Sequence, residues 1–298
     1  MNKKYKKIFI ITITLFLILS SYLGFIGTVL GEEVLYQEAT YKDQTNVAIT
    51  TGVNNIFVSP NQLITLNANY SILEKNNIVI PPGIYQINAV GSNITISQND
   101  VILHTVPTKL SLFPIVYNLN STIHIKSLNR HYLGTMVFEK NRMISRLPLE
   151  HYLYGVVPHE IGESSPAESQ KVQAVAARSF GAKRLGIVIQ DNTSHQVYRG
   201  FNSAHVRSIA AVNLTRGQFM KNGTEIVDTY FSASNGGNTL SVWNSWINRG
   251  QQKDYFVYKK DDFDTAHKWS FNLLKTQINL SLVDELNPIT WWSTTNET

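Results

Sequence analysis

The segment from Leu147 to Arg178 most constrains the fold of this chain, because it places its strongest helix signal directly after a short loop. It reads LPLEHYLYGVVPHEIGESSPAESQKVQAVAAR. Ser165 is suited to cap the helix, Pro166 to occupy its first position, and Glu168 to complete a capping box. Apolar residues then recur at helical spacing. We therefore predict a capped helix preceded by a loop that carries one carboxylate, Glu160.

Glu160 is the residue of this segment best placed to act as a general acid. A carboxyl group that donates a proton near neutral pH needs a raised pKa, which apolar surroundings provide. Val156, Val157 and Ile161 are near Glu160 in the chain and are suited to shield it. On spacing alone the alternative is a solvated loop glutamate, because single acidic residues are common on protein surfaces.

A partner carboxylate for Glu160 is not evident in the sequence. Hydrolases that use two carboxylates hold them at a defined separation. The capping box explains Glu168, a solvated loop explains Glu163, and Asp228 lies in a predicted strand whose orientation is left open. Ordinary two-carboxylate hydrolysis is therefore not supported.

The N-terminus has the pattern of an export signal. Lysines at positions 3, 4, 6 and 7 precede an uncharged run over residues 8–31, which is long enough to span a bilayer. The positive end is the one that stays in the cytoplasm. No clean cleavage site follows, so a retained membrane anchor and a cleaved signal are both open. In either case we expect the rest of the chain to be exported.

Composition excludes several kinds of site. The chain has no cysteine, which rules out disulfides and thiolate metal ligands. Its 298 residues are 43% hydrophobic and 16% charged, which is sufficient for a sizeable core and excludes wholesale disorder. The formal net charge of +5 lies partly in the N-terminal lysines, so the folded part is mildly basic and no nucleic-acid partner is predicted.

The order of predicted elements indicates an α+β fold, in which a β-rich N-terminal part packs against a mixed core with a central capped helix. Residues 1–31 form the signal or anchor. Residues 32–126 contain short apolar segments separated by Pro, Gly and Asn, which predict strands. No linker separates them from residues 127–298, so we expect the two parts to pack together. A second helix is predicted from Ser203.

Two predicted strands carry side chains of the kind that bind sugars. Asn222 and Gly223 suit a type I′ turn at the start of one of them. Residues two apart on a strand share a face, and hydroxyls beside an aromatic ring match the hydroxyls and apolar faces of a sugar. An exposed polar strand face is the alternative. Glycines beyond that strand let the backbone approach a ligand closely. The predicted substrate-binding residues here are Gln196, Tyr198, Tyr230, Ser232, Ser234, Gly236 and Gly237.

Several other residues have both a functional and a structural interpretation. Arg178, inside the predicted helix, is a further substrate-binding candidate, and a structural ion pair is its alternative. His195 has no second histidine at zinc spacing, which favours a polar structural role over metal binding. Trp243 and Trp246 are suited to stack on sugar rings or to pack in a core.

Four motifs occur in the order and spacing of one known family. They are LPLEHYLYGVVPHE, SPAESQKVQAVAARSF, SHQVYRG and TRGQFMKNGTEIVDTYFSASNGG. Together they resemble the stage II sporulation protein D (SpoIID) and amidase-enhancer (LytB) family over residues 127–262. The earlier HYLGTMVF resembles the family's YRG-type strand, with Leu133 in place of the usual arginine. The resemblance is specific because several motifs must coincide.

The resemblance implies a membrane-anchored lytic transglycosylase of bacterial peptidoglycan. Such members cleave the linkage between N-acetylmuramic acid (MurNAc) and N-acetylglucosamine (GlcNAc) in glycan strands without stem peptides, and leave 1,6-anhydro products. The family's catalytic glutamate falls at the VP-x-E position, which is Glu160. The implied partners are the glycan strands, a cell-wall amidase and other engulfment proteins, and no cofactor is implied.

One departure from the family pattern, and one difference among the family's members, bear on function. Some relatives place a cysteine and a histidine before the QVY motif in a zinc site, whereas this chain has Thr193–Ser194–His195 there, so no metal is predicted. Other members are described as enhancers of an amidase. The alternatives are therefore a non-catalytic amidase enhancer or wall-binding protein of the same fold, and a plain carbohydrate-binding module. The glutamate at position 160 favours the enzyme.

Overall fold

The computed structural model describes residues 44–48, 58–239 and 255–264. The chain divides into two compact units, Met1–Phe231 and Ser232–Thr298. The predicted export segment and both Trp243 and Trp246 lie outside the described residues. Within the described ranges, no helix is long and apolar enough to cross a membrane.

The first unit consists mainly of short β-strands. They are β1 (Gln44–Ala48), β2 (Gln62–Leu66), β3 (Tyr70–Ile72), β4 (Ile78–Ile80), β5 (Gly83–Val90), β6 (Asn93–Gln98), β7 (Val101–Pro107), β8 (Lys109–Pro114), β9 (Thr122–Ile125), β10 (Arg130–Leu133), β11 (Thr135–Glu139), β12 (Arg142–Pro148), β13 (Val188–Gln190), β14 (Lys221–Asn222) and β15 (Glu225–Ile226). In the second unit, β16 (Asn238–Thr239) pairs antiparallel with β17 (Lys259–Lys260).

Three α-helices follow or interrupt these strands. They are α1 (Leu149–Tyr154), α2 (Ala167–Ala182) and α3 (Val206–Leu214). A 3₁₀ turn at Leu73–Lys75 and a π-helical turn at Pro158–Gly162 complete the helical elements of the described residues. Together with the strands they confirm the predicted α+β fold.

Two sheets organise the first unit. A seven-stranded sheet has the order β13–β1–β12–β11–β8–β3–β4, and a six-stranded sheet has the order β10–β9–β2–β5–β6–β7. β1 pairs parallel with β13 and antiparallel with β12. Both sheets combine strands from before and after residue 126. The β-rich region and the region that follows it therefore share their hydrogen-bonded framework.

The core lies on the faces of the sheets that the strand alternation turns inward. Ile64 and Leu66 of β2 are buried, as are Tyr85 and Ile87 of β5. Ile84, which pairs with Thr65 between the two buried β2 residues, is exposed. These side chains belong to one continuous hydrophobic cluster that also contains residues of α1 and α2. The helices are thus fixed to the sheets by burial of apolar surface.

The central helix forms, but the predicted capping box is wrong. Pro166 is the N-cap of α2 and no side chain caps the helix there. The Ser165 hydroxyl instead donates to the carbonyl of Ile161 at 2.5 Å. Glu168 is exposed and forms an ion pair with Lys171 at 2.7 Å. Because the Ser165 hydroxyl is bonded to this loop carbonyl, it does not cap the amides of the helix.

The remaining local predictions need smaller corrections. The hairpin at β14 and β15 exists, but its two loop residues are Gly223 and Thr224, and only Gly223 has positive φ. This pattern fits a type II′ turn rather than the predicted type I′ turn. Residues 196–200 and 227–233 are not in strands, so the predicted strand faces there are wrong. Helix α3 begins at Val206, not at Ser203.

Candidate active site

Glu160 lies on the π-helical turn that connects α1 to the loop before α2. The turn is closed by hydrogen bonds from the amides of His159 and Glu160 to the carbonyl of Val156, at 2.9 and 3.0 Å. Val156 and Val157 are fully buried, whereas Glu160 is half-buried. The predicted apolar shielding is therefore present, and the carboxyl group sits at the boundary between core and solvent.

A buried glutamine of α2 holds the loop that follows Glu160. The side-chain amide of Gln170 donates to the carbonyls of Gly162, Glu163 and Ser165 at 3.2, 2.8 and 3.2 Å. One side-chain amide thus contacts three loop carbonyls, which restricts the conformation of the loop.

Glu163 caps helix α3 from outside its own segment. Its carboxylate accepts hydrogen bonds from the amide of Arg207 at 2.7 Å and from the hydroxyl of Ser208 at 2.5 Å. Partial burial by itself raises the pKa of Glu163, but the hydrogen bonds from Ser208 and Arg207 outweigh it and lower the pKa. Glu163 is a partly exposed loop residue, as predicted, but it also joins the Glu160 loop to α3.

The Glu160 carboxyl group accepts a hydrogen bond from the backbone amide of Val197, at 2.5 Å from Oε1. Burial raises the pKa of Glu160, while the Val197 hydrogen bond and the charge of Arg199 act in the opposite direction. The net shift is upward. Glu160 therefore stays protonated to a higher pH than a solvated glutamate does, as a general acid requires.

The segment that contains Val197 is fixed by buried contacts. The Tyr152 hydroxyl of α1 donates to Oε1 of Gln196 at 3.1 Å, and both side chains are fully buried. The Arg199 amide donates to the carbonyl of Gly155 at 3.1 Å. A Cβ on Gly155 would clash with the carbonyl of Gly200, so only glycine admits this approach.

Gln196 and Tyr198 were predicted to bind substrate from a strand face, but both side chains are buried. Tyr198 is 1% exposed, and its ring packs near those of Tyr132 and Tyr152, with centroids 6.0 and 5.3 Å away. Neither side chain is accessible at the surface of the first unit. Their described contacts support the Glu160 loop, and direct substrate contact stays a prediction.

Arg178 is also fully buried. Its Nε and Nη2 donate to the two carboxylate oxygens of Glu150 at 2.8 and 2.9 Å, and Nη2 also donates to the carbonyl of Val212 at 3.0 Å. This bidentate pair connects α1, α2 and α3. It is the structural ion pair that the sequence left open as the alternative to substrate contact.

The other predicted binding residues lie at the end of the first unit or in the second. Tyr230 is 47% exposed in the first unit. In the second unit, the Ser234 hydroxyl donates to both carboxylate oxygens of Asp264 at 2.8 and 3.0 Å, and the Gly236 amide donates to Oδ2 at 3.1 Å. Substrate binding by Tyr230, Ser232, Ser234, Gly236 and Gly237 stays a prediction.

His195 has a structural setting. Its Nδ1 accepts a hydrogen bond from the amide of Gln190 at 3.3 Å, and its ring meets Phe180 edge-on. Burial and the charge of Arg184 lower its pKa. In the part of the chain that the structure describes, no three His, Asp or Glu side chains are grouped closely enough to hold a metal ion.

A cleft of about 1080 Å³ opens beside the Glu160 loop. His159, the neighbour of Glu160 in the chain, lines it, and so does Arg199, whose charge acts on Glu160. None of the described residues that line it is an aspartate or a glutamate. The other lining side chains that are basic, amide or aromatic are Arg130, His131, His205, Asn67, Asn120, Asn129, Asn202 and Phe201.

The charge of the cleft comes from its arginines. Desolvation together with His205, Arg199 and Arg130 lowers the pKa of His159 to about 4, although the residue as a whole is more than a third exposed. Burial and the nearby His124 lower the pKa of His131. Both imidazoles are therefore neutral at pH 7. The guanidinium groups of Arg130 and Arg199 supply positive charge to the cleft.

Comparison with known proteins places Glu160 within a recognised domain. The family model described as Stage II sporulation protein, SpoIID, matches residues 138–221, which contain Glu160, α2, the QVY segment and α3. The chain is thus similar to the SpoIID family over this range. The resemblance found in the four sequence motifs is therefore confirmed. No solved structure matches the chain significantly.

The SpoIID domain is shared with longer proteins. An amidase enhancer of Bacillus subtilis (strain 168) is 32% identical over 218 residues, which are 69% of this chain and 30% of the relative. An uncharacterised protein of Brachyspira hyodysenteriae is 33% identical over 124 residues, which are 38% and 34%. Stage II sporulation protein D of Bacillus subtilis is 28% identical over 131 residues, which are 36% and 38%. The chain thus spans between 30% and 38% of the length of these relatives.

The residues that sequence reasoning missed are those that position the SpoIID domain's loop. Gln170, the Val197 amide and the capping function of Glu163 act across 5 to 45 residues of sequence. A backbone amide leaves no signal in side-chain patterns. Gln170 sits on the buried face of α2, and a polar residue at a core position of an amphipathic helix was a usable signal.

Proposed function

We propose that this chain is a lytic transglycosylase that cleaves the MurNAc–GlcNAc linkage of peptidoglycan strands without stem peptides and leaves a 1,6-anhydro end. The observation that supports this most is the setting of Glu160. It is a half-buried carboxyl group with a raised pKa that accepts a hydrogen bond from the Val197 amide, on a turn whose residue His159 lines a large cleft. A cell-wall function is also consistent with the names of the similar proteins, amidase enhancer and stage II sporulation protein D.

The proposed mechanism uses Glu160 twice. As the acid, it protonates the glycosidic oxygen while an oxocarbenium-like state develops at C1 of MurNAc. As the resulting carboxylate, it accepts the proton of the C6 hydroxyl, whose oxygen attacks C1. The glycosidic C–O bond breaks, a C1–O6 bond forms, and no water is consumed. The proton that Glu160 gave is recovered in the second step.

The engagement of the other carboxylates supports a single-acid mechanism. Glu163 caps α3, Glu150 pairs with Arg178, and Asp191 lies buried near Arg130 and Arg199. Glu168 is exposed and paired with Lys171. Each of these groups has a structural partner, so none is left in the role of a second catalytic carboxylate within the described residues.

Export is part of the proposal. The apolar run after the N-terminal lysines supports a location outside the cytoplasm, with the chain either anchored on the outer face of the cytoplasmic membrane or released to the cell wall. The proposed partners are glycan strands and, by the resemblance, a cell-wall amidase and other engulfment proteins.

The direct test is an activity assay on peptide-free glycan strands. The full chain is incubated with the strands, and the products are identified by mass spectrometry. We expect anhydro-ended fragments, and a rate lower by about 10²–10⁴-fold in Glu160→Gln. Glu168→Gln is the matched control, because this exposed glutamate is close in sequence and should leave the rate unchanged. Binding without cleavage, or equal rates in wild type and Glu160→Gln, would refute the proposal.

The second candidate function is that of a non-catalytic amidase enhancer. The observation that favours it is the 32% identity, over 69% of this chain, with a protein of that name. It predicts that the chain accelerates a purified cell-wall amidase and that Glu160→Gln accelerates it equally. An amidase rate that is unchanged by the wild-type chain would exclude this function.

A further inference from the structure

Two arginines, Arg130 and Arg199, line the cleft next to the Glu160 turn, and one buried carboxylate lies near both of them. Oδ2 of the buried Asp191 lies 3.7 Å from Nη1 of Arg199 and 4.0 Å from Nη1 of Arg130. Both distances exceed that of a good hydrogen bond, so Asp191 engages each arginine loosely. Arg199 also donates from Nη1 to the carbonyl of Asp191 at 2.9 Å. One negative charge is thus shared between two positive ones.

Part of each arginine side chain is exposed at the cleft, although Nη1 of Arg130 is itself buried. The side chains of Arg130 and Arg199 are 24% and 23% exposed, and both residues line the cleft, whereas Asp191 is fully buried behind them. Among the residues that the structure describes, no acidic side chain lines the cleft to balance this positive charge. His131 and His159, which line the same cleft, are neutral at pH 7 and leave this charge to the arginines.

The chemistry of this site favours a planar anion on a sugar. A guanidinium group presents several N–H donors in a fixed fork that matches a carboxylate. Asn120 and Asn202 on the same wall offer amides suited to hydroxyl and acetamido groups, and Phe201 offers an aromatic face. Among peptidoglycan sugars, MurNAc carries a lactyl carboxylate and GlcNAc carries none. An attached stem peptide converts that carboxylate into an amide.

We propose that Arg130 and Arg199 bind the lactyl carboxylate of a MurNAc residue in the cleft, and so select strands that carry this free carboxylate. The inference rests on the proposed function, because that function places a glycan strand in the cleft. Arg130 is the specificity residue of the pair, because Arg199 also contributes backbone contacts that hold the Val197 segment.

The test is a binding measurement in which no cleavage occurs. The full chain with Glu160→Gln is titrated with a peptide-free GlcNAc–MurNAc oligomer and, separately, with a GlcNAc oligomer of the same length. We expect about tenfold tighter binding of the MurNAc oligomer, which corresponds to about 1.4 kcal/mol. Adding Arg130→Gln should reduce this preference to less than about twofold, with the affinity for the neutral oligomer unchanged.

A matched control and a charge-retaining variant complete the test. Arg142→Gln removes an arginine that pairs with Glu139 on the β11–β12 hairpin and does not line the cleft, so it should keep the full preference. Arg130→Lys should retain part of it. Equal affinities for the two oligomers in the Glu160→Gln chain, or a full preference after Arg130→Gln, would overturn the inference. A poly(glycerol phosphate) that binds more tightly than the MurNAc oligomer would also overturn it, since the site would then select phosphate.

The outcome is separable from that of the proposed function. If the chain discriminates between the oligomers but produces no anhydro ends, the carboxylate site is supported and the transglycosylase proposal is refuted. If the chain cleaves strands but binds both oligomers equally, the transglycosylase proposal is supported and the carboxylate site is refuted. Circular dichroism of each variant confirms that loss of preference is not loss of fold.

Discussion

At the scale of single residues, the decisive feature is a carboxyl group whose protonated form is favoured by burial. Val156 and Val157 enclose the base of the Glu160 turn, and the Val197 amide contacts the carboxyl group itself. Burial raises its pKa, and that hydrogen bond and Arg199 limit the rise. The same desolvation that prepares Glu160 as an acid makes its ionised form unfavourable in the folded chain.

The first prediction concerns the stability consequence of this pKa. The folded-state pKa of Glu160 lies above its unfolded value, so the folded chain binds more protons, and stability falls as pH rises through that interval. Glu160→Gln removes this dependence. Wild type should lose stability as pH rises from below the ordinary glutamate pKa to above the raised one, whereas Glu160→Gln should not. The unfolding free energy of the variant should therefore increase relative to that of wild type over this interval. Urea unfolding of both chains at a series of pH values measures the difference.

The contrary result is a difference that stays constant with pH. Glu163→Gln serves as the control of opposite sign, because hydrogen bonds lower the pKa of Glu163. Its ionised form is stabilising, so that variant should lose stability relative to wild type as pH rises.

At the scale of elements, the loop with Glu160 is held by its neighbours rather than by its own sequence. Gln170 of α2 binds three of its carbonyls, and Glu163 at its end binds the first turn of α3. The loop is therefore a connection between two helix N-termini. Movement of either helix would displace the proposed acid.

The second prediction tests the cap on α3. Glu163→Ala leaves the amides of Arg207 and Ser208 without their acceptor, and should lower the unfolding free energy by about 1–2 kcal/mol. Glu168→Ala, which removes an exposed ion pair on α2, should cost less than about 0.5 kcal/mol. Hydrogen exchange at Arg207 and Ser208 should become faster in the first variant only. Equal losses in the two variants would show that Glu163 is not a cap.

The third prediction concerns the ion pair that joins the helices. Arg178→Met leaves the Glu150 carboxylate without its bidentate partner in a mostly buried position, and should cost about 3–5 kcal/mol. Lys171→Met breaks an exposed pair on the same helix and should cost less than about 1 kcal/mol. Chemical unfolding compares the two. A small loss in Arg178→Met, together with weakened glycan binding, would instead support substrate contact by Arg178.

The accuracy of prediction at this scale follows the range of the interactions. Helix α2 was predictable because its periodicity is local. Its capping box was not, because Ser165 bonds to Ile161. The glycine of the β14–β15 hairpin was identified, but strand register decided the turn type. Gln196 looked like an exposed strand residue because its buried partner, Tyr152, is 44 residues away.

At the scale of the whole molecule, the SpoIID domain is not a separate module from the β-rich part. Residues 138–221 match the family, yet β12 within that range pairs with β1, and the six-stranded sheet supplies Arg130 and His131 to the cleft. The sequence predicted the α+β class and the location of Glu160. It did not predict that β10, which precedes the matched range, would contribute residues to the cleft, because sheet order depends on long-range pairing.

In the proposed reaction, Glu160 transfers a proton within the sugar and water takes no part. Digestion of peptide-free glycan strands in water enriched in ¹⁸O, followed by mass spectrometry of the new ends, distinguishes this reaction from hydrolysis. We expect 1,6-anhydro ends without the heavy isotope in wild type, and no new ends in Glu160→Gln. New reducing ends that carry ¹⁸O, or anhydro ends formed equally by Glu160→Gln, would contradict the proposed reaction.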